Sequence, residues 1–131
     1  MGVLVLGDSE KLILERAGVQ ALILFGSRAL GIARENSDFD LGVIGARSHE
    51  VYDLVYDLAS AKIGKPVNID LVFLKDAPQE LRSHVASYGR VLYQNDPRVF
   101  ADFREIVMQS SADFAPLRAI FSAATLARIS L

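Results

Sequence analysis

The chain has 131 residues, 51% of them hydrophobic, with a formal net charge of −2. That length suits one domain with enough apolar side chains for a core, and the charge balance gives no electrostatic case for gripping a nucleic-acid backbone. With no cysteine there is neither a disulfide nor a thiolate metal site. The opening Met1-Gly-Val-Leu-Val-Leu6 lacks the basic region and length of a secretory signal, and Leu6 breaks the myristoylation pattern. No uncharged apolar stretch is long enough to span a bilayer, so the expectation is a cytoplasmic protein without membrane contact.

Asp8 or Ser9 caps a predicted first helix over residues 9–17, with Leu12, Ile13 and Ala17 on its inner face, and Gly18 ends it. Ala21 to Phe25 is a short apolar run closed by Gly26-Ser27, which reads as a buried strand. Arg28 to Gly31 makes one helical turn in the following connector. Asp38-Phe39-Asp40-Leu41 leads into Val43-Ile44 as a second strand, where Gly42 and Gly45 loosen the chain. Ser48 caps a second helix to about Ala61, and Val51, Leu54, Val55 and Leu58 form its apolar stripe. Gly64 and Pro66 break it.

Val67 to Phe73 is the third strand, with Asp70 as the one acid in an apolar run. Asp76, Pro78 and Gln79 signal the start of another helix, with Leu81 and Val85 facing inward. Val91 to Tyr93 is a short fourth strand. Asp96-Pro97 opens a helix carrying Phe100, Phe103 and Val107 at helical spacing. Asp113 to Pro116 interrupts it, and a last amphipathic segment carries Leu117, Ile120, Phe121, Ala124 and Ile129. The expected architecture is α+β. A small mixed sheet of about four strands has helices packed on one face, in a single domain over 1–131, with a core over about 9–95 and C-terminal helices over about 97–131.

Asp38 and Asp40 stand one residue apart, so on a strand they share a face with Cα atoms roughly 6.6 Å apart. Paired like charges on an otherwise apolar strand point to a divalent cation, and carboxylate oxygens suit magnesium. Gly26-Ser27 offers close backbone approach, free N–H groups and a hydroxyl for phosphate oxygens. Asp70 is the best third ligand on physical grounds, since a lone buried acid must be paired or metal-bound; an ion pair with Lys65 or Lys75 is the alternative. The plainer readings are surface acids for Asp38 and Asp40, a turn residue for Ser27 and an exposed guanidinium for Arg28. His49 and His84 are isolated, placed near helix surfaces, and lack ligand spacing.

Gly26-Ser27, the ten residues 28–37, then Asp38-x-Asp40 resembles the signature of the DNA polymerase β-like nucleotidyltransferase superfamily. The stretch GSRALGIARENSDFDL is similar to GSRARGxARxxSDxDL of its minimal nucleotidyltransferase branch, with Leu30 where that branch usually has a second arginine. The resemblance implies the polymerase β-like fold and AMP transfer from ATP with two magnesium ions held by Asp38, Asp40 and Asp70. It implies Gly26, Ser27, Arg28 and Ser37 as the nucleotide-binding residues, with Arg34 a second arginine to consider. Many members of the branch are antitoxins encoded beside a HEPN-domain ribonuclease toxin, whose tyrosine they modify with AMP. A HEPN partner is therefore implied, and the apolar C-terminal segment is consistent with a hetero-oligomeric contact. The alternatives are transfer to a small molecule or an RNA end, and a catalytically idle antitoxin that inhibits by binding. Small-molecule members usually carry a further helical domain.

Overall fold

The run Val19–Phe25 becomes the central strand because every residue except Gln20 is buried. The computed structural model describes residues 4–110. In chain order these residues form α1 (Asp8–Arg16), β1 (Val19–Phe25), α2 (Ser27–Leu30), β2 (Phe39–Gly45), α3 (His49–Ile63) and β3 (Ile69–Phe73). A 3₁₀ turn (Leu74–Asp76), α4 (Gln79–Tyr88), β4 (Arg90–Gln94) and α5 (Val99–Ser110) complete them. The sheet order is β3-β2-β1-β4. β1 runs antiparallel to β2 and β4, whereas β2 and β3 are parallel. A parallel pair needs a crossover, and α3 supplies it.

Both faces of the sheet are covered. Leu22 and Leu24 of β1 pack with Leu14 of α1 and with Val55 and Ala59 of α3. Ala21, Ile23 and Phe25 point the other way, to Val85 of α4 and to Phe100 and Phe103 of α5. The mixed α+β sheet is as expected, but helices on one face describes only α1 and α3. A strand apolar on both sides must be covered on both, which is why β1 reads as a continuous run.

Local expectations hold where a single signal acts. Ser48 caps α3, its Oγ accepting from the Val51 N–H at 3.0 Å, and Gly64 ends the helix in a left-handed conformation. They fail where signals compete. Only Leu14 of α1 is buried, while Leu12 and Ile13 are exposed. Asp76 closes the 3₁₀ turn and pairs with Arg47 at 3.7 Å instead of capping α4, which starts after Pro78. A residue before proline is driven out of the helical region, and Ala77 is accordingly extended. Gly42 lies inside β2, where a Cβ would come within 2.9 Å of the buried Leu74 side chain; it is a packing gap instead of a loosened segment. Leu4 and Leu6 are buried ahead of α1 and join the first cluster. The interruption at 113–116 and the apolar segment 117–129 lie outside the described residues. Among the described residues, no helix is long and apolar enough to cross a membrane.

Candidate active site

Strand pairing gathers the predicted residues at one end of the sheet. β1 ends at Phe25, opposite Asp40 on β2, and Asp40 stands opposite Asp70 on β3. Gly26-Ser27 follows β1 directly, and Asp38 lies one residue ahead of β2. Asp40 shares a face of its strand with Ile44, and Asp70 shares one with Val72, so both lie on the α4/α5 side.

Gly26 is the fixed corner. Its φ of 77° favours glycine, and a Cβ there would collide with the Asp40 carboxylate. The glycine therefore lets that carboxylate lie against the turn. Its carbonyl accepts from the Ala29 and Leu30 N–H groups at 3.1 and 3.2 Å, which closes the single turn of α2. Ser27 is fully buried, and its Oγ has no hydrogen-bond partner among the described residues. A buried hydroxyl without a partner is costly, which makes it a ready contact for a bound polar group.

The three acids differ in setting. Asp40 is buried, whereas Asp38 and Asp70 are exposed. Asp70 is thus not the buried acid that the apolar run suggested, because β3 is an edge strand and its Asp70 position is exposed. It makes no ion pair with Lys65 or Lys75 among the described residues; the Lys65 ammonium instead reaches the Glu35 carbonyl at 3.3 Å. The donor set fits a hard divalent cation in kind, being all carboxylate. No group of three or more His, Cys, Asp or Glu is gathered as a finished metal cage among the described residues. Asp40 and Asp70 stand opposite each other on neighbouring strands, and Asp38 lies one residue ahead of β2.

Arg28 and Ser37 both make contacts within the connector. Arg28 Nη2 donates to the carbonyls of Ser37 at 2.8 Å and Glu35 at 3.1 Å. Its guanidinium carbon lies 4.1 Å above the centre of the Phe39 ring. The Ser37 hydroxyl accepts from the Arg34 N–H at 2.8 Å inside a tight turn. Both residues therefore shape the connector.

Sequence reasoning missed His84. It is fully buried, edge-on to Phe25 with ring centres 6.3 Å apart, and 5.2 Å from the Tyr88 ring. Burial pushes its pKa below the usual value, and neither ring nitrogen has a partner among the described residues. The signal was present: Leu81, His84, Val85 and Tyr88 stand at i, i+3, i+4 and i+7. His49 starts α3 at the surface. A cavity of about 320 Å³ lined by Arg47, Tyr52, Phe73 and Asp76 lies towards the other end of β3 and includes none of the three acids.

Comparison with known proteins gives the chain a family. A protein adenylyltransferase MntA from Shewanella oneidensis is 34% identical over 88 residues, a match spanning 63% of this chain and 61% of that protein. A crystal structure of a toxin–antitoxin with AMP-PNP superposes with a TM-score of 0.65 at 26% identity, covering 91% of this chain and 98% of the other. A crystal structure of the toxin–antitoxin MntA–HepT gives a TM-score of 0.57 at 25% identity, covering 88% and 95%. Residues 10–98 match the nucleotidyltransferase domain of polymerase beta, and the chain belongs to that family.

Proposed function

We propose that this chain is a magnesium-dependent, cytoplasmic nucleotidyltransferase. In this reading it moves AMP from ATP onto a protein hydroxyl, a tyrosine of a HEPN ribonuclease toxin, and so acts as that toxin's antitoxin. One observation carries the chemistry. Gly26-Ser27 stands beside Asp40, Asp70 stands opposite Asp40 on the next strand, and Asp38 lies two residues from Asp40, at one end of the sheet of a family member. The acceptor is supported by the relative named a protein adenylyltransferase and by structural neighbours described as toxin–antitoxin assemblies.

Asp38, Asp40 and Asp70 would hold magnesium, which when bound polarises the attacking hydroxyl and offsets charge on the triphosphate and leaving pyrophosphate. The buried Ser27 hydroxyl and the backbone at Gly26 bind the β and γ phosphates. The incoming tyrosine oxygen attacks the α-phosphorus, its bond to the β-phosphate oxygen breaks, and pyrophosphate leaves. Asp70, exposed at the edge strand, takes the hydroxyl proton. Asp40, held against Gly26, keeps the reacting end of the triphosphate in line.

The test is intact-mass measurement of this chain with its co-purified partner, given ATP and magnesium. A partner that gains one or more AMP masses, and fails to gain them with the Asp38→Ala/Asp40→Ala chain, supports the reading. A bound partner with no mass gain identifies an inhibitor by contact. Absence of both partner and gain directs the search to a small-molecule or RNA acceptor.

A further inference from the structure

Asp38 is exposed and precedes its strand, yet both its neighbours are held. Arg28 grips the Ser37 carbonyl on one side of Asp38 and covers the Phe39 ring on the other. The same Nη2 reaches the Glu35 carbonyl, which also accepts from Lys65. Below that clamp, the Arg34–Ser37 turn closes on itself: the Ser37 N–H donates to the Arg34 carbonyl at 3.1 Å, and the Arg34 N–H donates to the Ser37 hydroxyl at 2.8 Å. The Phe39 N–H in turn donates to the Asn68 carbonyl at 2.9 Å, two residues before Asp70.

We propose that Arg28 is a positioning residue. It pins the connector to the start of β2, so that Asp38 is presented beside Asp40, and it does not grip the triphosphate. The inference rests on Asp38 belonging to the nucleotidyl-transfer site. Residue chemistry separates the two roles. A guanidinium has donors in a fixed fork and a flat face that stacks on an aromatic ring. Lysine keeps the charge and serves phosphate well as a point charge, but it has no flat face to lay on the Phe39 ring while its ammonium reaches the carbonyls.

The experiment compares the wild-type chain with Arg28→Lys and Arg28→Gln. The first readout needs no activity: limited trypsin digestion, followed by mass, of cleavage after the exposed Arg34. Release of the turn in both variants is expected to raise that cleavage roughly tenfold, since local opening controls access to the bond. The second readout splits kcat from KM. Both variants are expected to lose roughly ten- to a hundredfold in kcat with the KM for ATP within about threefold, lysine giving no rescue. Wild-type cleavage at Arg34 in both variants overturns the proposal, whatever happens to the rate. So does rescue by lysine with a KM for ATP raised mainly in the glutamine variant, which is the pattern of a phosphate contact. If Arg28 variants do not fold, Phe39→Leu removes the stacking ring while keeping an apolar side chain in the core, and is expected to raise cleavage at Arg34 by a smaller factor; no rise overturns the proposal. If the wild-type chain transfers no AMP, the functional reading fails, and the tryptic arm alone decides the clamp.

Discussion

Asp40 and Asp38 are two residues apart and chemically identical, yet they are held in opposite ways. Asp40 is buried between neighbouring strands with its carboxylate against Gly26, where a Cβ at position 26 would meet it. Asp38 is exposed, and its neighbours are fixed by one guanidinium reaching across the connector. The buried half of the site is set by sterics and strand register, and the exposed half by side-chain contacts that water can challenge. Changes at the buried half should therefore damage fold and chemistry together, while changes at the exposed half should damage chemistry alone.

The largest expected effect is at the buried acid. Asp40→Asn keeps the shape but halves the oxygen donors that a divalent cation can use. AMP transfer should fall by at least about 10³-fold, an effect of several kcal/mol on the barrier. The check is the initial rate of AMP incorporation measured by mass at saturating magnesium. A loss under tenfold would remove Asp40 from the metal site and dissolve the contrast.

Gly26→Ala tests whether sterics fix that half. The added Cβ meets both an unfavourable φ and the Asp40 carboxylate. Roughly 2–4 kcal/mol of stability and a large part of the activity should be lost. Gly31→Ala is the internal control. Its φ is 76°, but nothing lies within 4 Å of the new Cβ. It should cost only about 1–2 kcal/mol, for the left-handed backbone alone. Urea denaturation of the two variants separates collision from strain. Equal losses would mean that the Asp40 contact does not constrain Gly26.

Asp70→Ala should show the reverse pattern. The side chain is exposed and makes no ion pair or hydrogen bond among the described residues, so stability should move by no more than about 0.5 kcal/mol. Activity should nevertheless fall about ten- to a hundredfold, as the third carboxylate and proton acceptor are both removed. Equal activity would place the transfer site on Asp38 and Asp40 alone.

The legibility of these parts follows from what each depends on. Gly26-Ser27 and Asp38-x-Asp40 could be read because their spacing in the chain is itself the constraint. The strands could be read because β1, β2 and β3 are short apolar runs. Asp70 could be named as the third acid from its place as the lone acid of its run, but its register directly opposite Asp40 could not be read, since that comes from pairing strands on either side of α3. Nor could the exposure of Asp70, which reflects the edge position of β3. The residue type of Arg28 was informative, but a guanidinium can donate to phosphate and to carbonyl oxygens alike, and sequence gives no direction for it. His84 was set aside as a surface residue although its spacing with Leu81 and Val85 marked the inner face of α4.

His84 gives the smallest effect and the finest test of the buried half, because it backs Phe25 at that corner. Burial holds its pKa below the ordinary 6.5, so the folded state resists the proton that the unfolded chain accepts. Above 6.5 the ring is neutral in both states, and its contribution to stability is fully present. As pH falls below 6.5 the unfolded state binds the proton first, and stability is lost on the way down to the folded pKa. His84→Phe removes that titration together with two buried nitrogens lacking partners among the described residues. At about pH 8 the variant should melt at the wild-type temperature or slightly above it, as removing buried unpaired polar groups is close to neutral. Between about pH 6.5 and 5 the wild-type Tm should fall more steeply than the variant's. The carboxylates titrate in both proteins, so the difference between the two curves isolates the imidazole. Parallel curves would show that His84 is not held neutral, and that the corner behind Gly26 is open to water like the exposed half of the site.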